Sequence, residues 1–151
     1  LWAIEDEYIT EHTWPKIGQE RSKFLYPIGS VKRAGGKIAF GSDWYVTSVN
    51  PLDGIETAVT RLEPNGLTKN PLGVNEEIGL ADAIEAYTLN GAYVNFLDKK
   101  VGSIEVGKQA DLIVLDKNLF EILPKEINES RVLATIFNGD IVFGSYEDLQ
   151  N

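Results

Sequence analysis

The spacing of apolar residues changes character along this chain, and each change marks an expected element. The first twenty-odd residues mix Trp2, Tyr8, His12 and Trp14 with charge and show no clean period. That pattern predicts a long loop whose aromatic side chains pack on something else. Pro27 can open a helix, because its missing N–H has no partner there in any case. Ile28, Val31 and Ala34 follow at helical spacing until Gly35-Gly36, so a short helix is expected over residues 27–34. Lys37-Ile38-Ala39-Phe40-Gly41 is a brief apolar run beside glycines, the pattern of a strand buried on both faces of a parallel sheet. Ile55, Val59 and Leu62 predict a helix over residues 53–62, stopped by Glu63-Pro64-Asn65-Gly66. Leu80, Ile84, Tyr87, Gly91 and Val94 form one stripe, which predicts a single helix over 80–96, with Gly91 the point of close approach to a neighbour.

Beyond residue 97 the pattern turns to short strands between turns. Asp111 to Asp116 reads as a strand with charged ends, and Val132–Phe137 faces Ile141–Phe143 across Asn138-Gly139-Asp140, a hairpin signal because Asn-Gly tolerates positive φ. Two units are therefore expected: an α/β unit over residues 1–96 and a small β unit over 97–151.

Composition narrows the function classes. Of the 151 residues, 14 are Lys or Arg and 23 are Asp or Glu, and the resulting charge of −9 repels phosphate backbones and anionic lipid surfaces. Neither nucleic acid nor membrane is an expected partner. Cysteine is absent, which removes disulfides, thiolate nucleophiles and thiolate metal ligands. No apolar run approaches the roughly 20 residues of a spanning helix, and the expected location is cytoplasmic. With no methionine and a Leu1-Trp2 start, the chain reads as a piece of a longer protein.

Chemistry concentrates at Ser42-Asp43-Trp44. In parallel α/β folds the C-terminal ends of strands carry the functional groups, and a carboxylate placed just after a buried strand is aimed at that opening. The competing reading is that Ser42-Asp43 only starts a turn or caps a helix.

Longer motifs bear on that choice. Phe40-Gly41-Ser42-Asp43-Trp44, then Asn50-Pro51-Leu52-Asp53-Gly54-Ile55 and Ala58-Val59-Thr60-Arg61, resemble the last barrel strand and following helix of the amidohydrolase superfamily. The nearest likeness is to the branch of metal-dependent hydrolases that includes N-substituted formamide deformylase. Ala86-Tyr87-Thr88-Leu89-Asn90-Gly91-Ala92-Tyr93 is similar to the family's final helix. The run Gly102-Ser103-Ile104-Glu105-Val106-Gly107-Lys108-Gln109-Ala110-Asp111, continuing to Asp116, resembles the return from barrel to small β domain.

The resemblance implies the C-terminal part of a (β/α)₈ TIM barrel followed by part of a β-sandwich-like domain. It implies hydrolysis of a non-peptide C–N bond, in an amide or formamide, with a small-molecule amide as substrate and a divalent metal, zinc, as cofactor. Asp43 would be both the catalytic carboxylate and a metal contact, moving a proton from water to the leaving nitrogen. Trp2 and Trp44 are candidate substrate-binding residues; the resemblance would place Trp14 with Trp2 near the substrate mouth, and Tyr45 follows Asp43 closely enough to shape the rim. His12 is the lone histidine and lacks the spacing of a metal pair, so a packing or loop role is expected for it. Arg61 reads as a solvated helix-face charge. Gly102 and Gly107 do not have nucleotide-loop spacing, and a turn accounts for them. The chain alone should be inactive and bind no metal, its apolar edges needing cover from an upstream barrel half or a second copy. A non-catalytic binding or assembly module on the same fold, and a deaminase or cyclic amidase, are the alternatives.

Overall fold

The computed structural model describes residues 3–66, 68–73, 75–145 and 147. Helices α1 (Trp14–Ile17), α2 (Gln19–Ser22), α3 (Ile28–Arg33), α4 (Pro51–Thr60), α5 (Leu80–Tyr87) and α6 (Leu89–Val94) precede a three-stranded sheet of β1 (Leu112–Leu115), β2 (Val132–Phe137) and β3 (Asp140–Phe143). No helix among the described residues is long and apolar enough to cross a membrane.

The N-terminal stretch is helical rather than the expected loop. A π-helical segment, Tyr8–Thr13, runs into α1 and carries the buried Ile9. Its wider turn explains why no 3.6-residue period shows in the sequence.

Helix α4 is the centre of the molecule. Asn50 Oδ1 accepts the Leu52 N–H at 3.1 Å, and Pro51 fills the first helical position. This cap starts the helix two residues before the expected 53, and the left-handed Arg61 (φ 59°) ends it. Leu52, Ile55 and Ala58 form one core with Ile78, Ala83, Leu119 and Ile127. The last of these lies on a 3₁₀ segment, Pro124–Glu129, that the sequence reading did not anticipate. Residues on both sides of position 97 thus share the core around α4.

The charged side chains of this seam bond to backbone, while Arg61 Nη1 and Thr57 Oγ1 are buried without a partner among the described residues. Arg61 is fully buried rather than solvated, donating from Nε to the Leu72 carbonyl at 2.7 Å and from a terminal nitrogen to the Leu25 carbonyl at 3.3 Å. Glu56, also buried, accepts the Asn128 N–H at 2.9 Å. Burial raises its pKa, more than the Asn128 bond lowers it. Buried Glu76 accepts the Ser30 N–H at 2.8 Å and bonds the Ser30 hydroxyl. Burial pushes its pKa up, but the Ser30 bonds together with Arg33 and Arg61 bring it below the usual carboxylate value. Gly29 makes this crossing possible, since a β-carbon there would lie 2.9 Å from the Asn75 carbonyl and from Glu76 Cα.

The expected single helix 80–96 is broken at Thr88 (φ −115°, ψ −90°). Its hydroxyl donates to the Ile84 carbonyl at 2.8 Å, the back-bonding by which threonine bends a helix. Gly91 is not the point of close approach, its nearest contact being the Ala86 carbonyl at 3.9 Å. That place belongs to Gly102, where a β-carbon would meet the Ala92 β-carbon at 2.7 Å.

The sheet follows the sequence closely. Its order is β1-β2-β3, both pairs antiparallel, with Asn138 (φ 52°) and Gly139 (φ 91°) in the hairpin turn. The charged ends of β1 tie it to β2: Asp111 accepts the Asn138 N–H at 2.7 Å, and Asp116 accepts the Arg131 N–H at 2.8 Å and its Nε at 2.9 Å.

Candidate functional site

Residues 37–42 lead from α3 toward α4 and Asp43 turns the chain at φ 53°, but they form no ladder with another strand among the described residues. The parallel strand expected at 37–41 is not formed among the described residues; the segment is single and is held at Phe40, whose N–H donates to the Ala86 carbonyl at 3.0 Å. A strand needs a neighbour for its remaining backbone groups, and none of the described residues lies alongside. The side chains still obey a two-residue period. Ile38, Phe40 and Ser42 are half-buried on the side of α4 and α5, where Phe40 meets the Tyr87 ring edge-on at 5.4 Å. Lys37, Ala39, Gly41 and Asp43 are exposed on the alternate positions.

Asp43 ends this exposed series. Its backbone sits at φ 53°, uncommon for a residue with a β-carbon. The turn around it is closed by local bonds. The Trp44 N–H donates to Ser42 Oγ at 3.2 Å, the Val46 N–H donates to the Asp43 carbonyl at 2.8 Å, and the Thr47 hydroxyl donates to the Ser42 carbonyl. None of the three bonds engages the Asp43 carboxylate, which belongs to an exposed residue and has no hydrogen bond among the described residues.

Around that carboxylate the turn is apolar and bare. Trp44 and Tyr45 are 67% and 85% exposed, with their rings edge to face at 6.3 Å, and Val46 and Val49 are exposed beside them. Beneath the segment a cleft of about 250 Å³ is lined by Tyr26, Phe40, Gly41, Gly54, Thr57 and Tyr87. Thr57 Oγ1 is buried there without a partner.

The other candidates are dispersed. His12 is exposed on the π-helical segment, where neither a loop nor a buried packing position was found, and its ring lies edge-on to the exposed Tyr8 at 5.8 Å. Trp14 is half-buried at the start of α1. Trp2 lies outside the described residues. Gly102 and Gly107, at φ 93° and 94°, occupy turns. No group of three or more His, Cys, Asp or Glu among the described residues could hold a metal ion. The described donor set is one carboxylate, which suits a ligand or a base but does not by itself fit a resident metal.

Sequence reading missed Thr47 and Thr57. Nothing in the spacing of a lone threonine distinguishes a hydroxyl that closes a turn, although Ser42 beside Asp43 signalled that a turn would be built there.

The amidohydrolase family model matches residues 2–143, and the chain belongs to that family. Among its curated relatives, the protein LONG AFTER FAR-RED 3 of Arabidopsis thaliana is 38% identical over 82% of this chain and 21% of its own length. The N-substituted formamide deformylase of Arthrobacter pascens is 33% identical over 83% of this chain and 22% of its own. In fold, the chain is similar to an amidohydrolase from Thermotoga maritima, with a TM-score of 0.59, 24% identity and coverage of 78% of this chain and 26% of that one. The chain thus spans about a fifth to a quarter of the length of these proteins.

Proposed function

We propose that the whole protein hydrolyses a non-peptide C–N bond in a small amide or formamide, with Asp43 as its proton-transferring carboxylate. The observation that carries this reading is the placement of Asp43. It is a solvent-facing carboxylate on an uncommon backbone conformation, at the end of an extended segment whose exposed face is otherwise small at Ala39 and Gly41. A carboxylate there accepts a proton from the attacking water as its oxygen bonds the carbonyl carbon. It returns that proton to nitrogen as the C–N bond breaks. Trp44 at the rim, with Trp2, would hold an apolar substituent of the substrate.

The similarity to a formamide deformylase supports the choice of bond. In the same reading, residues 1–96 close a barrel with upstream strands and 97–151 belong to a small β domain, in a cytoplasmic protein. A divalent metal, zinc, would be held by Asp43 together with ligands outside the described residues, and would supply Lewis acidity. The chain by itself is inactive.

The test is Asp43→Asn in the full-length protein, followed by formate and amine release from N-butylformamide and its aryl counterparts. Loss of about 10²–10⁴-fold in turnover is expected. An Asp43→Asn protein as active as the parent would overturn the reading.

A further inference from the structure

We infer that Thr47 is the positioning residue for Asp43, an inference that rests on the reading of Asp43 as the proton-transferring carboxylate. A residue held at positive φ persists only when its surroundings over-determine it. Asp43, at φ 53°, has no side-chain bond to do so. The restraint comes from its flanks. Ser42 Oγ takes the Trp44 N–H at 3.2 Å, the Asp43 carbonyl takes the Val46 N–H at 2.8 Å, and the Ser42 carbonyl takes the Thr47 hydroxyl.

The first two bonds are local turn bonds that shift together with the backbone of Asp43. The third differs in kind, because it is the one side-chain bond spanning the whole turn. It fastens the carbonyl immediately before Asp43 to a half-buried residue on the far side. Beyond Thr47 the chain soon meets Asn50, whose side chain caps α4, so the clamp refers Asp43 to the rigid helix through a short connection. The neighbouring Trp44, Tyr45 and Val46 are exposed and give the turn no packing support. Hydrogen bonding by Thr47 is therefore what fixes the direction of the carboxylate, at a site where misplacement by about 1 Å can cost on the order of 10² in rate.

The experiment compares Thr47→Val, Thr47→Ser and Asp43→Asn in the full-length protein by turnover of N-butylformamide and by amide hydrogen exchange of the peptide covering residues 42–49. Thr47→Val removes the hydroxyl at nearly constant volume. It should accelerate exchange in that peptide alone and lower kcat by about 10- to 100-fold, with KM within about twofold. Thr47→Ser should restore both. Unchanged exchange in Thr47→Val overturns the inference whether or not a substrate is turned over. So does unchanged kcat where Asp43→Asn is inactive, and that result leaves the reading of Asp43 intact. Full activity in Asp43→Asn removes both.

Discussion

Helix α4 and the turn that leads into it are neighbours in sequence under opposite conditions. Within α4, Leu52, Gly54, Ile55, Glu56, Thr57 and Ala58 are buried, and two carboxylates and a guanidinium in or against the helix are tied to backbone groups from distant parts of the chain. In the turn, Trp44, Tyr45, Val46 and Val49 are exposed, the one carboxylate is unbonded, and every restraint comes from within the turn. Buried charge in the first region is held because an unpaired one would be costly; the charge in the second lies open to solvent. The difference separates what holds the fold from what the fold presents.

Replacing residues on each side of that boundary should therefore have unequal effects, and the largest belongs to Arg61. Arg61→Ala removes two charge-assisted bonds and leaves a void, and should destabilise the full-length protein by about 3 kcal/mol in denaturant unfolding. A loss below about 1 kcal/mol would mean that the guanidinium does not clamp the 25 and 72 loops. Next comes Gly54→Ala, since a β-carbon there would lie 1.9 Å from the Tyr87 hydroxyl. A cost of about 1–3 kcal/mol is expected, and adding Tyr87→Phe should recover part of it; purely additive effects would place the strain elsewhere.

The two buried glutamates supply a smaller pair of effects with opposite sign. The folded pKa of Glu76 is depressed, so its charged form stabilises the fold above the ordinary carboxylate pKa and that stability is lost as pH falls through the folded value. Glu76→Gln should cost about 1–2 kcal/mol near neutrality and converge with the parent at low pH. Glu56 has a raised pKa, so its ionisation opposes folding as pH rises from the ordinary value through the raised one. Glu56→Gln keeps an acceptor for Asn128 and should flatten that part of the pH–stability profile, in thermal scans across pH 4 to 8 (a window of about the usual carboxylate range and above). If both substitutions moved the profile in one direction, the contrast in burial and pairing would be refuted. Smallest of all, Asp43→Asn should change unfolding stability by less than about 0.5 kcal/mol, since the carboxylate is exposed and unbonded. A larger change would show that Asp43 belongs to the scaffold.

The sequence disclosed elements whose causes are local. β1 and the β2–β3 hairpin follow from an apolar run and an Asn-Gly turn, and α4 from an apolar stripe behind an Asn-Pro cap. It concealed features made by distant partners. Arg61 looks like any helix-face cation until the carbonyls of Leu25 and Leu72 converge on it, from 36 and 11 residues away. Thr88 gives no notice that its hydroxyl will divide a continuous stripe into α5 and α6. At the candidate site, the exposed place of Asp43 follows from its position after an apolar segment, whereas the bond from Thr47 to the Ser42 carbonyl depends on the path the backbone takes around the turn.

Because α4 is started by the Asn50 side chain and Pro51, with the Asn50 N–H held by Ser48 Oγ at 3.1 Å, the helix does not depend on Trp44, Tyr45 or Val46. Residues 44–46 form a region where substitutions alter the surface beside Asp43 while Thr47, Ser48 and the scaffold remain unchanged. A scaffold insulated in this way lets substrate preference diverge by rewriting one short loop, with the carboxylate kept at its head.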